Sequence, residues 1–131
     1  MTVEELVEII GAEVGSGIPC HADYAPSNAK TTPDSGYLVV RQTTSSPDHV
    51  RETDYPISEM QNFMLHAFAL KQSDVSRVLK AGELAALKVR NRYANNLFIR
   101  FGSRSSGHSL AAKRMRYNAT RLLIVRHANT N

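Results

Sequence analysis

The sequence predicts an α+β domain: a mostly antiparallel sheet with two helices packed on one face. Two segments show the apolar spacing of amphipathic helices, and several others are short, apolar and rich in β-branched residues. The length of 131 residues predicts a single domain, 1–131, with one buried core. With 42% apolar and 21% charged residues, the composition excludes a wholly disordered chain.

The N-terminal segment predicts a helix over residues 2–14. Thr2 and Glu5 have the spacing of a capping box, in which a hydroxyl and a carboxylate close reciprocal hydrogen bonds at a helix start. Gly15 is a natural stop for this helix. Between these ends the apolar residues recur at helical spacing and form one stripe: Val3, Leu6, Val7, Ile10 and Val14.

The segment after this helix is irregular and leads into a strand. Residues 15–35 are rich in Gly and Pro, which predicts a loop with one short strand near Ile18 to His21. Residues 37–44 are β-branched and aromatic and predict a strand. The polar residues 45–58 predict a long loop or the tip of a hairpin.

Residues 57–70 fit two structures. Ser58 and Gln61 have capping-box spacing, and the apolar residues that follow fit one face of a helix. Equally, the run 63–70 is short, apolar and preceded by polar residues, as in a central strand. We favour the strand, because one helix over 58–90 would be unusually long for a compact domain.

A second helix is predicted over residues 74–91. Ser73 is a good N-cap residue, and apolar residues follow it at helical spacing. Gly82 inside this helix is either a small penalty or a point of close packing.

The remaining residues predict two strands separated by a loop. Residues 97–101 are apolar and aromatic, which predicts a strand. Residues 102–109 are mostly Ser and Gly and predict a flexible loop. Residues 115–127 predict a long strand whose buried part runs from Leu122 to Val125.

Charge is distributed unevenly along the chain. Residues 1–60 carry ten acidic and three basic side chains, whereas residues 61–131 carry two acidic and thirteen basic ones. The two halves therefore have formal charges of −7 and +11, consistent with the total of +4. A domain with two faces of opposite sign is suited to binding a polyanion or to stacking head-to-tail on copies of itself.

No spacing typical of catalysis or metal binding occurs in the sequence. The five histidines do not pair at short metal-ligand intervals, and neither a Gly-x-Ser-x-Gly elbow nor a phosphate-binding loop is present. Cys20 is the only cysteine, so no intrachain disulfide is expected. We therefore predict no enzyme activity, no cofactor and no metal ion. The acidic N-terminus and the lack of a long apolar run predict a protein made in the cytoplasm without membrane contact.

Six cations in the basic half are the candidate contact residues. Arg114 and Arg116 share one face of the predicted last strand, and Arg121 lies on the other face unless a bulge intervenes. Such cations serve either direct nucleic-acid binding or contacts between subunits. The six residues are Arg100, Arg104, Lys113, Arg114, Arg116 and Arg121.

Three stretches of the chain have a recognisable order: the helix Thr2–Val14 before the strand Gly36–Thr44, the apolar run Gln61–Leu70 directly before the helix Asp74–Arg90, and the closing strand Lys113–Leu123. The closing strand carries an aromatic residue and an Asn. In this layout, which covers most of the chain, the sequence resembles the tail terminator or tail-completion proteins of long-tailed bacteriophages.

The resemblance implies a small α+β protein that forms a ring, typically hexameric, at the head-proximal end of the tail tube. The ring would end tube growth and join the tail to the neck. The implied partners are copies of the chain, the tail tube protein and a neck or connector protein, with DNA passing through the lumen, and the implied location is the virion.

Two parts of the chain depart from that layout, the segment 45–58 and the basic loop 100–116. The segments 15–35, 45–58 and 102–113 are expected to become ordered on assembly. The alternative function is a small nucleic-acid-binding module that uses the region 100–121.

Overall fold

A computed structural model describes residues 2–15, 17–25, 32–50, 55–92, 97–111 and 114–128. These residues form two helices and five strands of a single sheet. In chain order the elements are α1 (Val3–Val14), β1 (Cys20–Ala22), β2 (Tyr37–Val50), β3 (Tyr55–Ala69), α2 (Gln72–Arg92), β4 (Leu97–Ala111) and β5 (Arg114–Ala128).

The sheet has the strand order β1-β2-β3-β5-β4. β1 is parallel to β2, and every other neighbouring pair is antiparallel. β2 pairs with β3 and β4 pairs with β5, while α2 connects the two pairs along the chain. The predicted α+β class with a mostly antiparallel sheet is therefore confirmed.

The core lies between the helices and one face of the sheet. α1 contributes Leu6 and Ile10 to it, and α2 contributes Val78 and Leu79; all four are fully buried. Side chains alternate between the two faces of a strand, so every second residue of β2, β3 and β5 meets the helices. These sheet residues include Leu38, Val40, Phe63, Leu65, Leu123 and Val125.

The two helix starts differ in how well the sequence predicts them. The Glu5 amide donates to the Thr2 hydroxyl at 3.1 Å, and the Glu5 carboxylate accepts from the Thr2 amide at 3.5 Å, which confirms the capping box. α2 begins at Gln72, before the predicted cap, and its first turn closes through a bond from the Val75 amide to the Lys71 carbonyl. Ser73 therefore lies inside the first turn and is not the N-cap.

The ambiguous segment 57–70 is a strand, as we favoured. β3 pairs with β2 on one side and with β5 on the other, so it lies in the middle of the sheet. Burial alternates along it with a period of two, as expected for a strand with one face against the helices. The buried residues are Gln61, Phe63, Leu65, Ala67 and Ala69.

Of the two alternatives for residues 45–58, the described parts show the hairpin and not the long loop. β2 continues through Pro47 to Val50, and β3 starts at Tyr55, so the two strands form one long hairpin. Proline cannot donate a ladder hydrogen bond, so Pro47 would be unfavourable inside a central strand. An edge strand tolerates proline, and beyond Val40 the outer edge of β2 pairs with none of the described strands.

The expected flexible loop over 102–109 is also wrong. β4 runs without a break through this Ser/Gly-rich segment and pairs with β5 as far as Ala111. A hydroxyl–hydroxyl hydrogen bond between Ser105 and Thr120 joins the two strands. Composition predicts a loop here, but pairing with the neighbouring strand β5 decides the structure. The described parts of segments 45–58 and 102–113 are strands of the single chain. The expectation that these segments become ordered only on assembly is therefore wrong for those parts.

Gly82 is a point of close packing between α2 and the sheet. A Cβ atom at this position would lie 2.9 Å from Cδ2 of Leu65 and 3.2 Å from Cδ1 of Leu38. Glycine lets the helix axis approach the two central strands, which offsets its poor helix propensity.

Within the described part of the chain, neither helix combines the length and the apolar character needed to cross a membrane.

Candidate functional site

The charge asymmetry of the sequence becomes an asymmetry across the sheet. α1, β1 and β2 belong to the acidic half and lie together at one edge, whereas β5 and β4 belong to the basic half and form the other edge. α1 exposes Glu4, Glu5 and Glu8 at the first edge. The exposed cations described in the other half lie just before α2, on α2, on β4 and on β5: Lys71, Arg77, Lys80, Lys88, Arg100, Arg104 and Arg126.

Both edges of the sheet are open over long stretches. β1 covers only Leu38 to Val40 of β2, so residues 41–50 of β2 have no partner on that side among the described strands. The whole outer side of β4 is likewise unpaired within the described residues. β2 and β4, with 14 and 15 residues, are more than twice as long as an average strand of about five or six. Long open edges are templates for pairing with another chain.

The structure separates the six predicted contact residues into different roles. Arg100 and Arg104 are exposed on β4, Arg121 is half-buried, and Arg116 is buried. Lys113 lies outside the described residues, and so does the side chain of Arg114. β5 pairs in continuous register with β3, so Arg116 and Arg121 lie on opposite faces, as expected without a bulge.

Arg116 is a structural residue and does not form part of an exposed basic surface. Its side chain is 3% exposed on the face of the sheet opposite the helices. Nη2 lies 3.4 Å from the Asp34 carboxylate and donates to the Thr32 carbonyl at 3.4 Å. The guanidinium carbon is 5.6 Å from the centre of the Tyr37 ring, a cation–π distance. The contacts of Arg116 that the structure shows are therefore within the chain, and contact between Arg116 and a partner stays a prediction.

These contacts hold residues 32–36 against the sheet. The Leu70 amide donates to the Asp34 carbonyl, and Arg77 of α2 donates to the Ser35 carbonyl. Gly36 ends the segment with φ at +129°, a conformation that L side chains rarely adopt. The segment thus connects β5, β3 and α2 at the start of β2.

Arg121 is used inside the chain as well. On the helix-facing side of β5, its Nε donates to the Glu83 carboxylate at 3.1 Å, and Nη1 donates to the Gly102 carbonyl at 3.1 Å. Its guanidinium also lies 5.4 Å from the centre of the Phe101 ring. The ion pair joins α2 to the sheet, so Arg121 positions elements and is not available to a partner.

A bulge in β4 redirects the side chains that follow it. The register with β5 shifts between Phe101 and Arg104, and Arg104 comes to lie opposite Arg121 on the helix-facing side. Without the shift, Arg104 would share the other face with Arg100. Sequence spacing alone did not reveal this change, and Gly102 at the bulge was its only signal.

Beyond the bulge, the β4–β5 hairpin and the first turns of α2 enclose an open groove of about 480 Å³. On β4, Arg104, Ser106 and His108 alternate along the strand and share its helix-facing side. Sequence reasoning identified Arg104 among the lining residues and missed the others. The polar and aromatic side chains that line the groove include those of Gln72, Ser76, Arg104, Ser106, His108 and Tyr117.

A row of rings crosses the other face of the sheet. Tyr37 stacks on Phe68 with 5.2 Å between ring centres, and His66 stacks on Phe68 at 6.0 Å. Burial raises the pKa of Tyr37, and the charge of Arg116 partly opposes this shift. Burial lowers the pKa of His66, and the charge of Arg41 lowers it further.

Replacing His66 with glutamine should remove part of the acid sensitivity of the fold. The folded state holds the pKa of His66 below 6.5, so below that pH the unfolded chain binds more protons than the folded one. Stability therefore rises with pH in this window and is lost as pH falls through it. The free energy of unfolding can be measured with urea at about pH 8 and at about pH 5. Between these two pH values it should fall less for His66→Gln than for the unmodified chain. Equal losses would contradict the shift.

The described residues do not assemble a metal-binding cluster. No group of three or more His, Cys, Asp or Glu side chains suited to a metal ion occurs among them. Burial raises the pKa of the Cys20 thiol to about 12, so this thiol is protonated and weakly nucleophilic at neutral pH. What the geometry offers is an interaction surface.

The fold defines the chain as an α+β domain with two open sheet edges, with exposed glutamates of α1 beside one edge and exposed arginines of β4 on the other. No protein-family model matches the sequence, and no curated protein matches it either.

Proposed function

We propose that this chain is a structural protein that assembles head-to-tail into a closed ring at the head-proximal end of a phage tail tube. The single observation that carries the ring is the pair of open sheet edges, with the exposed glutamates of α1 on the side of β1 and β2 and the exposed Arg100 and Arg104 on β4 at the other side. Such a surface is not self-complementary, so it favours a heterologous contact, which closes into a ring when the rotation allows.

Two further features support assembly. Arg100 of β4 is exposed and makes no hydrogen bond or ion pair within the described part of the chain, so its charge is available at the basic edge. The exposed glutamates of α1 provide the opposite charge at the other edge. Complementary charge guides the encounter and fixes the register of a contact more than it adds affinity.

The place of the ring comes from the resemblance to tail terminator proteins. On that basis the ring ends tube growth, meets the tail tube protein on one side and a neck protein on the other, and surrounds DNA in its lumen. The cations that remain exposed suit a lumen through which a polyanion passes. The protein is accordingly a virion component that acts without enzyme activity or cofactor.

The native mass of the purified protein, measured by light scattering over a concentration series, tests the ring. We expect a discrete closed species of about six subunits whose population grows with concentration. The fraction of chains in this closed species should fall as salt is added, since exposed charges are screened at high ionic strength. A strict monomer at every concentration would count against self-assembly.

A pair of charge reversals locates the contact. Arg100→Glu changes the charge on the basic edge and should lower the fraction of rings. Lys80→Glu makes the same change at an exposed position of α2 that is not on an edge strand, and should leave the mass distribution unaltered. Arg116 is unsuitable for this test because its reversal would disturb the fold.

The alternative function, nucleic-acid binding through residues 100–121, is supported by the exposure of Arg100 and Arg104. It predicts that Arg100→Glu lowers affinity for DNA and the slope of affinity against salt, by about one unit of log–log slope, with no change in mass. That combination of results would favour the alternative over the ring.

A further inference from the structure

The groove between α2 and the β4–β5 hairpin carries a local excess of positive charge. Arg104 and Arg121 are directly opposite each other on neighbouring strands, an arrangement that is unfavourable for like charges. Glu83 neutralises Arg121 at 3.1 Å. Arg104 makes no hydrogen bond or ion pair within the described part of the chain, so one positive charge is left without a counterion.

The lining of the groove suits an anion. None of its residues is acidic, and the side chains of Gln72, Ser76, Ser106 and His108 carry hydrogen-bond donors. Oxyanions bind where several donors accompany a guanidinium, which can contact phosphate or carboxylate with two parallel hydrogen bonds. A single phosphate would occupy only part of about 480 Å³, a volume within the usual range of ligand pockets, about 300–1,000 Å³.

An aromatic surface forms the outer end of the groove. Tyr117 is 43% exposed, and His108 meets its ring edge-on with 6.2 Å between ring centres. His108 and Tyr117 are a cross-strand pair, and they lie on the same side of the hairpin as Arg104. A ligand held at Arg104 can therefore extend along the hairpin toward a partly exposed aromatic ring, on which a nucleobase stacks favourably.

We propose that this groove binds a nucleotide, with Arg104 and the nearby donors on its phosphate and Tyr117 against its base. The ligand is either a free nucleotide or one nucleotide within a single-stranded nucleic acid, since both present the same phosphate and base. Nucleotide binding here does not depend on ring formation.

Titrations followed by NMR test this proposal, with adenosine 5′-monophosphate, adenosine and inorganic phosphate as separate probes. We expect saturable binding of the monophosphate, with shifts at Ser76, His108 and Tyr117, and weaker binding of either fragment. Arg104→Gln should weaken binding of the monophosphate by about tenfold or more, the usual cost of a lost charge-assisted hydrogen bond. Tyr117→Ala should weaken binding of the monophosphate but leave binding of inorganic phosphate unchanged.

Arg100→Gln is the matched control. It removes another exposed arginine from the same strand, but Arg100 faces the other side of the sheet, opposite Ile124. Its affinity for the monophosphate should stay within about twofold of the unmodified protein. Because both arginines are exposed, neither variant should alter folding, which circular dichroism verifies.

Three results would overturn the proposal: no saturable binding at millimolar monophosphate, equal losses in Arg104→Gln and Arg100→Gln, or equal affinity for phosphate and monophosphate. A short single-stranded oligodeoxyadenylate distinguishes the two sources of the nucleotide. Tighter binding of the strand, with a steep salt dependence and the same response to Arg104→Gln, identifies nucleic acid as the ligand. Binding of the monophosphate alone identifies a free nucleotide.

Discussion

Replacing Arg116 with glutamate should destabilise the domain by about 3–5 kcal/mol, the typical cost of an uncompensated buried charge. The new carboxylate would lie where Nη2 now meets Asp34 and the Thr32 carbonyl, so an attraction becomes a repulsion at a buried position. It would also face the negative surface of the Tyr37 ring. Chemical denaturation at neutral pH measures the loss.

Two control variants separate charge from size at this position. Arg116→Met keeps much of the side-chain volume without the charge, and its cost should be clearly smaller, since apolar replacements of buried ion pairs are often tolerated. Arg100→Glu makes the same charge change at an exposed site and should cost less than about 0.5 kcal/mol. Equal, small effects at positions 100 and 116 would show that Arg116 is exposed in solution.

Replacing Phe63 with alanine should cost about 3–5 kcal/mol, the range for removing a buried aromatic ring from a core. Phe63 is fully buried and is among the largest side chains of the core. It lies on the middle strand of the sheet, opposite Leu123 of β5, so the cavity would open where β3 meets both the helices and β5. The shift in urea midpoint at constant slope gives the change in stability.

Met64→Ala is the matched control for the strand assignment. In a strand, Met64 points to the opposite face from Phe63, where it is half-buried, so its truncation should cost much less. In the helix that the sequence also allowed, both residues would share the apolar face and the two costs would be similar. Comparable losses from Phe63→Ala and Met64→Ala would therefore contradict β3 as a strand.

Local sequence patterns determined the elements whose signals are short-range. The capping box at Thr2 and Glu5 and the apolar stripe of α1 depend on residues three or four apart, and the structure confirms both. The strands around Val39 and Leu123 were predicted from their β-branched and apolar residues alone. The separation of acidic and basic halves was also visible in the sequence, because it needs only the order of charges.

Tertiary pairing decided the elements that lack a local signal. The segment after Phe101 is rich in Ser and Gly and has little strand propensity, yet it forms the larger part of β4 because it pairs with β5 from Arg104 to Ala111. The strand order could not be obtained from propensities either, although it is what brings the two charged halves to opposite edges of the sheet.

The candidate contact residues show the same division. All six cations belong to one basic stretch of sequence, but their roles depend on which side of a strand each one occupies and on what lies there. Arg116 meets Asp34, which is 82 positions earlier in the chain, and Arg121 meets Glu83 of α2, so both charges are neutralised internally. Arg104 remains available because a one-register shift in β4 turns it toward the groove. Charge is a property of each residue, whereas its availability depends on long-range packing that no local window of sequence contains.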